Sequence, residues 1–234
     1  NIVPDYDLNI MKAGQTLEDI TVRALQGIGE VIRNVKPDIV LVHGDTSTTF
    51  AASLAAFYNQ TKIGHVEAGL RTYDKYQPFP EEMNRKLTGA MADLHFSPTK
   101  MAKENLLKEN VDENGIFITG NTAIDALKTT IDDGYVFTVD ELNKIDYKHR
   151  KVITVTAHRR ENLGEPLVNI CKALRRIADD YDNVEIVYAV HKNPAVSGPV
   201  HNILGGHGRI HLLDPLDLRD MHNVMNRSFM VMTD

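Results

Sequence analysis

Two carboxylic acids stand where short apolar runs of the sequence end. Asp45 follows the run IVLVH (39–43) and a glycine, and Glu67 directly follows the run 62–66. Buried parallel strands deliver their last residues into a ligand crevice in this way, and neighbouring strands of one sheet end on the same edge. Carboxylates placed together could transfer protons or hold a metal ion. The sequence therefore predicts a candidate site at this edge, and leaves the chemistry open.

Other polar side chains fall at the same kind of position in both halves of the chain. The set comprises His43, His65, His158, Arg159, Arg160, His191, Asp214 and Asp234. Any one of them could be a strand-end cap, but their concentration at strand ends favours a ligand site. The triplet at 158–160 places three potential cations between a strand and a helix start, which suits a phosphate or pyrophosphate, although a solvated basic turn is the alternative.

Several common kinds of site have no matching motif in the sequence. There is no HExxH, CxxC pair or EF-hand loop, and the histidines are scattered singly, so no metal site is predicted. A dinuclear centre built from His43, Asp45, His65 and Glu67 is the remaining metal alternative. No GxGxxG follows a predicted strand, and neither a P-loop nor a GxSxG elbow is present. The sequence gives no support for a nicotinamide cofactor, and no cofactor is predicted.

The elements that would position these residues alternate between strand and helix. Apolar spacing predicts helices at 15–35, 46–58, 99–109, 122–130, 166–179, 193–204 and 218–225, another beginning near Pro80, and strands at 39–43, 62–66, 94–96, 116–119, 152–156, 184–190, 209–213 and 229–232. The pattern predicts an α/β fold of two Rossmann-like, doubly wound parallel-sheet domains facing a cleft. The expected boundaries are an N-terminal domain at 1–131, a polar linker at 132–150 and a C-terminal nucleotide-binding domain at 151–234.

Composition narrows the class of protein further. The chain has 234 residues, 42% of them hydrophobic, and a formal net charge of −6, which argues against nonspecific nucleic-acid binding. A single cysteine, Cys171, suits a reducing compartment, so a cytoplasmic location is expected. No apolar run approaches the roughly 20 residues of a membrane helix, and no membrane partner is predicted. The chain starts without Met and stops in a strand pattern, so both ends are expected to be truncated.

Five motifs together resemble one enzyme family. They are VHGDTSTT (42–49), HVEAGLRT (65–72), PFPEEMNR (78–85), TGNTAIDAL (119–127) and TAHRREN (156–162). In this order they closely resemble the non-hydrolysing UDP-N-acetylglucosamine 2-epimerases of bacteria. The resemblance implies a GT-B-type fold, no cofactor and a homodimer. It also implies that parts of the site lie outside this chain, so the fragment alone is expected to be inactive.

The reaction implied by the resemblance is the interconversion of UDP-N-acetylglucosamine and UDP-N-acetylmannosamine, through elimination of UDP to 2-acetamidoglucal and its re-addition. The product would supply cell-surface polysaccharide synthesis. The resemblance implies that Asp45, Glu67 and Glu81 are the acid and base carboxylates, without saying which acts on which face. It makes His158 a catalytic residue that contacts the nucleotide phosphates, and places Leu216 and Met221 near the uracil.

The resemblance also implies an allosteric site for a second UDP-N-acetylglucosamine. Matching positions are Gln15, Glu81, Arg159 and His191, whereas the position before Gln15 is an arginine in the activated members and Gly14 here.

Three alternative functions remain: a hydrolysing epimerase that releases N-acetylmannosamine, a GT-B glycosyltransferase, and a non-catalytic sugar-nucleotide-binding protein. The intact motifs at 78–85 and 158–162 favour the non-hydrolysing enzyme.

Overall fold

A computed structural model describes residues 3–12 and 14–234, apart from the side chain of Arg160. The chain divides into two compact units, with the division between Ile124 and Asp125. Each unit contains a four-stranded sheet in which all the strands are parallel. The predicted α/β class with two parallel sheets is therefore confirmed. No helix within the described ranges is both long and apolar enough to cross a membrane.

The first unit alternates helices and strands as the periodicity predicts. Its elements are α1 (Leu17–Val35), β1 (Ile39–His43), α2 (Ser47–Tyr58), β2 (Lys62–Val66), α3 (Glu81–Met91), β3 (Leu94–Ser97), α4 (Lys100–Lys108), a short 3-10 helix (Glu113–Gly115) and β4 (Ile116–Ile118). Helix α5 (Thr122–Thr130) starts in this unit and continues into the second. Its start, directly after β4, matters for the candidate site.

The second unit contains the remaining elements. They are α6 (Asp140–Asn143), β5 (Lys151–Thr156), a 3-10 helix (Arg160–Asn162), α7 (Glu165–Asp180), β6 (Val184–Ala189), α8 (Pro194–Leu204), β7 (Ile210–Leu213), α9 (Leu218–Arg227) and β8 (Met230–Thr233). The short helix α6 and both 3-10 helices were not predicted, because fewer than two turns leave no readable period in the sequence.

Local sequence explains where the long helices of the first unit begin and how they pack. Thr16 caps α1 in a capping box with Asp19. Thr46 accepts a hydrogen bond from the backbone N–H of Thr49 at the start of α2. The buried face of α2 consists largely of small residues, which lets the helix approach the sheet and α1 closely; they are Ala51, Ala52, Ser53, Ala55 and Ala56.

The strand order of the first sheet brings the predicted carboxylates to one edge. The order is β1-β2-β3-β4, and His43 lies opposite Val66 in the register of β1 and β2. One further bond from the N–H of Gly44 to the carbonyl of Val66, at 3.0 Å, continues the pairing beyond β1. Asp45 and Glu67 therefore leave adjacent strand ends on the same side, as the sequence predicts.

The second sheet reverses its strand order next to β5. The order is β7-β6-β5-β8, so the chain builds outward from β5 to β7 and then returns to place β8 on the other side of β5. Ligands of open α/β sheets bind beyond the carboxyl ends of the strands at such a switch point. The segment after β5, which begins at Ala157 and His158, lies at this position.

The segment 132–150, predicted to be an interdomain linker, packs onto the second unit. Phe137 and Leu142 are buried in one cluster with Val152 and Val187 of the adjoining sheet. The buried carboxylate of Asp220 accepts hydrogen bonds from the backbone and hydroxyl groups of Thr138. A few anchoring apolar residues in a charged background have no helix or strand period, so composition alone makes this segment look like a linker.

Gly69 is a position where only glycine fits. Its φ is +90°, and an added Cβ would lie 2.2 Å from the carbonyl oxygen of Ala102. Asn105 of α4 donates a hydrogen bond to the Gly69 carbonyl at 3.0 Å. This close approach fixes the chain after Glu67 against α4, because backbone atoms cannot move aside as a flexible side chain does.

Gly69→Ala should lower the free energy of unfolding by more than about 1 kcal/mol, because the new methyl group collides with backbone and the left-handed φ is strained. Urea unfolding followed by circular dichroism measures the change. Gly208→Ala is the control, since an added Cβ there meets nothing within 4 Å and φ is not positive. Equal stability of Gly69→Ala and the parent protein would contradict this account of the packing.

Candidate active site

Asp45 is held by backbone and side-chain contacts from three elements. Gly44 turns the chain after β1 with a φ of +71°. The ring Nε2 of His65, on β2, lies 2.8 Å from the Gly44 carbonyl, so this nitrogen carries the hydrogen. Asn84 of α3 donates its side-chain N–H to the backbone carbonyl of Asp45 at 2.9 Å. The backbone on both sides of the Asp45 side chain is therefore fixed.

His65 is part of this support and does not face a ligand. The sequence predicted a place for it among the residues of the crevice, but its side chain is fully buried in the sheet. Burial lowers the pKa of His65 to about 4, against the opposing effect of the bond to the Gly44 carbonyl. The imidazole is neutral and structural. The alternation of side chains along a strand does not reveal, from the sequence alone, which histidine near a strand end is buried in the sheet and which faces the ligand.

Arg85 lies between two carboxylates. Its Nη1 is 3.4 Å from Asp45 Oδ2, and its Nε is 3.0 Å from Glu82 Oε2. The guanidinium is largely buried, so these ion pairs are screened less than surface pairs. From the sequence, Arg85 could pair with Glu81. The structure corrects this, because the Glu82 side chain is turned into the protein and the Glu81 side chain is not.

The surroundings of Asp45 favour its protonated form. Burial raises the pKa of Asp45 above its usual range, the nearby charges of Glu81 and Glu67 raise it further, and Arg85 opposes them. Asp45 is thus close enough to interact with each of the other two carboxylates singled out in the sequence. Perturbed pKa values of this kind are common among the acids and bases of active sites.

Glu67 has an uncommon backbone conformation for a residue with a side chain. Its φ is +67°, in the left-handed region. One carboxylate oxygen accepts a hydrogen bond from Asn121 Nδ2 at 3.1 Å, and the other lies 3.9 Å from His43 Nε2. Strained conformations that the surroundings enforce are concentrated at functional sites. The contact with Asn121 was not predicted, although Asn121 also follows a strand end.

Glu82 anchors the loop at 72–80. Its two oxygens accept hydrogen bonds from the backbone N–H groups of Thr72 and Tyr73, at 3.1 and 3.0 Å. The hydroxyl of Tyr73 in turn donates to Asn105 at 2.7 Å. An acid in the first turn of a helix can act simply by stabilising the helix dipole. Its burial shows that Glu82 is instead the internal tether of the loop that precedes Glu81.

A small cavity in the second unit brings together four of the predicted binding residues. The cavity has a volume of about 130 Å³ and is lined by Thr156, His158, Ala189, His191, Pro215, Leu216 and Met221. The rings of His158 and His191 lie 5.2 Å apart. His191 Nδ1 accepts a hydrogen bond from the N–H of Asn193 at 3.1 Å, which leaves the other ring nitrogen free to donate. The lining thus combines polar side chains with apolar ones.

The segment after β5 is tied to the end of β8 through Asp234. This carboxylate accepts hydrogen bonds from the Arg159 N–H at 2.8 Å and from the Asn162 side chain at 3.1 Å. Burial acts to raise the pKa of Asp234, but these bonds outweigh it and the pKa is lowered. The side chain of Arg159 is exposed and lies 3.8 Å from Glu161. The predicted cation Arg160 has a side chain outside the described part of the structure.

The residues predicted for an allosteric site fall in both units. Gln15 precedes α1 and accepts a hydrogen bond from the Lys12 N–H, and Glu81 starts α3. Arg159 and His191 belong to the second unit. Their assembly into one site stays a prediction.

Comparison with known proteins identifies the class of protein. A family model described as UDP-N-acetylglucosamine 2-epimerase matches residues 1–234. The chain belongs to this family, which confirms the predicted resemblance to UDP-N-acetylglucosamine 2-epimerases. It is 57% identical to the UDP-N-acetylglucosamine 2-epimerase of Bacillus subtilis and 50% identical to that of Escherichia coli K12. These matches cover 100% of this chain but 60% and 64% of the two relatives, so the chain spans about three-fifths of their length.

Solved structures agree with this assignment. A UDP-GlcNAc 2-epimerase from Neisseria meningitidis bound to UDP-GlcNAc matches with a TM-score of 0.92 and 42% identity, covering 100% of this chain and 64% of that one. A Staphylococcus aureus MnaA–UDP complex matches with a TM-score of 0.92 and 53% identity, covering 100% and 61%. These neighbours have GT-B-like folds, which agrees with the predicted fold class.

Arg85→Gln should raise the pKa of Asp45 further, because the substitution removes the cation that opposes burial and the neighbouring acids. A pH titration followed by 13C NMR of the aspartate carboxyl groups measures the change, with Asp45→Asn identifying the signal. Lys86→Gln, an equal charge change at the next, exposed position, is the control. A lower or unchanged pKa in Arg85→Gln would contradict the assigned ion pair.

His65 should make stability depend on pH. Because its folded-state pKa is depressed to about 4, the unfolded chain takes up a proton first as the pH falls below the ordinary value for histidine. The contribution of His65 to the free energy of unfolding is full above the ordinary pKa of histidine, and it is lost as the pH falls toward about 4. Between about pH 7 and about pH 5 the loss should be roughly 2 kcal/mol.

Urea unfolding at the two pH values tests this expectation. His65→Gln should shrink the difference in stability, while the exposed His201→Gln should leave it unchanged. His95, which is also buried with a lowered pKa, accounts for part of what remains. An undiminished pH dependence in His65→Gln would show that His65 is not the group responsible.

Proposed function

We propose that this chain carries the proton-transfer carboxylates and part of the nucleotide pocket of a non-hydrolysing UDP-N-acetylglucosamine 2-epimerase. The reaction is the interconversion of UDP-N-acetylglucosamine and UDP-N-acetylmannosamine. Family membership supports the substrate class. The observation that carries the mechanism is the environment of Asp45, whose pKa is raised by burial and by Glu81 and Glu67.

The chemistry of the sugar explains why carboxylates and a leaving group are both needed. C2 lies next to an acetal carbon, so its proton is too weakly acidic for simple removal and return. Departure of UDP from C1 with loss of the C2 proton gives 2-acetamidoglucal. Protonation of C2 from the opposite face and return of UDP to C1 then give the epimer. The electron pair of the C2–H bond forms the double bond, and the C1–O pair leaves with UDP.

Inversion at C2 requires one group that accepts a proton and another that donates one. Asp45, Glu67 and Glu81 are assigned these roles together. The raised pKa of Asp45 favours the role of proton donor for this group, and Glu67 is then assigned the role of acceptor. Microscopic reversibility exchanges the two roles when the reaction runs in the other direction.

The cavity in the second unit is assigned to part of the UDP moiety. Its lining includes His158, at the switch point after β5, where anions meet backbone N–H groups and helix N-termini. The lining also includes Leu216 and Met221, whose apolar side chains suit the flat face of a uracil. Hydrogen bonds to the departing pyrophosphate would stabilise the charge that develops as the C1–O bond breaks.

Other features of the whole enzyme belong to the same proposal. They are a homodimer, a cytoplasmic location, allosteric activation by UDP-N-acetylglucosamine, and supply of UDP-N-acetylmannosamine to cell-surface polysaccharide synthesis. The buried, unpaired Cys171 agrees with a reducing compartment.

In the full-length protein, solvent deuterium should enter C2 of UDP-N-acetylglucosamine, and Asp45→Asn should abolish this exchange while UDP still binds. Mass spectrometry measures the exchange and calorimetry the affinity for UDP. Asp38→Asn, the same substitution at an exposed position before β1, is the control.

Each alternative has its own result in this assay. Exchange at near the parent rate in Asp45→Asn would overturn the role of Asp45. Accumulation of free N-acetylmannosamine would identify a hydrolysing enzyme. Binding of the sugar nucleotide without exchange in the parent protein would point to a glycosyltransferase or a binding protein, and would reject the proposed reaction.

A further inference from the structure

Asn121 joins the start of a helix to one of the site carboxylates. It follows β4, where Gly120 turns the chain with a φ of +79°. Its side-chain oxygen accepts a hydrogen bond from the N–H of Ala123 at 2.8 Å, in the first turn of α5. Its side-chain nitrogen donates to Glu67 Oε1 at 3.1 Å. One amide thus serves both the helix and the carboxylate.

The helix start fixes which end of the Asn121 amide faces Glu67. A backbone N–H can only donate, so the group that receives the bond from Ala123 must be the amide oxygen. The NH2 group is then forced to point at Glu67. The orientation of this donor follows from the helix start and needs no contribution from the carboxylate itself.

The other groups near Glu67 are less well placed to hold it. His43 Nε2 is 3.9 Å away, beyond hydrogen-bond distance, and its side chain is 61% exposed. Gly44, on the neighbouring strand end, lies beside the carboxylate but has no side chain to hold it, and a Cβ there would lie 3.4 Å from Glu67 Oε2. Asp45 and Glu81 contribute negative charge. Asn121 is the side chain that donates a hydrogen bond to Glu67 within the described residues.

We propose that Asn121 is a positioning residue for the epimerase reaction, holding Glu67 oriented as the proton acceptor through an amide that the start of α5 locks in place. This inference rests on the function proposed above. A neutral donor suits the task, because it stabilises the carboxylate without the full positive charge of a lysine or arginine, which would weaken Glu67 as a base.

The two strand ends place their carboxyl groups in different surroundings. Burial and neighbouring acids raise the pKa of Asp45, although Arg85 opposes them. One oxygen of Glu67 is instead held in a fixed direction by the amide of Asn121. Proton transfer between two faces of C2 requires carboxyl groups that are not equivalent.

A double-mutant cycle tests the contact itself. Asn121→Asp keeps a good helix cap but turns an oxygen toward Glu67, so two carboxylates meet at neutral pH. The unfolding equilibrium constant should rise on the order of 10-fold at about pH 7, and less at about pH 5. Combining it with Glu67→Gln should restore the parent value, because the glutamine amide now donates to the new aspartate.

Asn114→Asp is the matched control for charge. Asn114 also donates its side-chain N–H to a carboxylate, Asp112, at 3.0 Å, but on the exposed surface. The same substitution there should change stability much less, because solvent screens the pair. If the effects of Asn121→Asp and Glu67→Gln simply add, the contact does not exist and the proposal is overturned.

Deuterium exchange at C2 in the full-length protein tests the role in catalysis. Asn121→Asp and Asn121→Ser, both of which keep a capping oxygen, should slow the exchange at least about 10-fold with the affinity for UDP unchanged. Asn114→Asp should exchange at the parent rate. Parent-like exchange in both Asn121 variants would reject the positioning role.

The stability cycle and the exchange assay together separate the role of Asn121 from the proposed function. A parent protein that shows no exchange would reject the epimerase reaction, while the stability cycle would still decide whether Asn121 holds Glu67. Exchange in the parent together with additive stability effects would keep the function and reject the role of Asn121.

Discussion

The candidate site depends on the hydrogen bond between His65 and the carbonyl of Gly44. It joins two neighbouring strand ends beneath the surface, at 2.8 Å, and is made by a neutral imidazole in the core. Asp45 follows Gly44 and Glu67 follows β2 by one residue, so both acids inherit their positions from this bond and the parallel pairing around it. Because the support is buried and uncharged at neutral pH, it does not depend on the charges of the acids that it positions.

Several carboxyl groups lie at this edge of the first sheet, and a small number of hydrogen-bond donors and cations stabilise them. Arg85 supplies a full positive charge to Asp45 and Glu82, whereas Glu67 receives only a neutral amide. The two acids at neighbouring strand ends therefore differ in surroundings although they are alike in type. In the second unit, one cavity is lined by two histidines and by apolar side chains, which suits a ligand with both a charged part and a flat part.

Much of this arrangement is readable from the sequence, for reasons that are local. Apolar periodicity locates the strands and helices, and parallel strands that end together place Asp45 beside Glu67. Other contacts depend on how distant segments meet: Glu82 holds the 72–80 loop, and Asn121 donates a hydrogen bond to Glu67, 54 positions away. The ion pair of Arg85 with Glu82, instead of Glu81, likewise depends on which side chain is buried. No local period records such contacts. The packing of 132–150 was missed for the same reason, since its few anchors are spread through a charged segment.

Glu82 links the shape of a loop to the acidity of a neighbouring group. Its carboxylate receives two backbone N–H groups from Thr72 and Tyr73 and also faces Arg85. The two backbone N–H groups and the guanidinium of Arg85 are thus bound by the same carboxylate of Glu82. Arg85 in turn is the cation that restrains the pKa of Asp45. The path of the 72–80 loop and the readiness of Asp45 to release its proton are therefore coupled through one buried side chain.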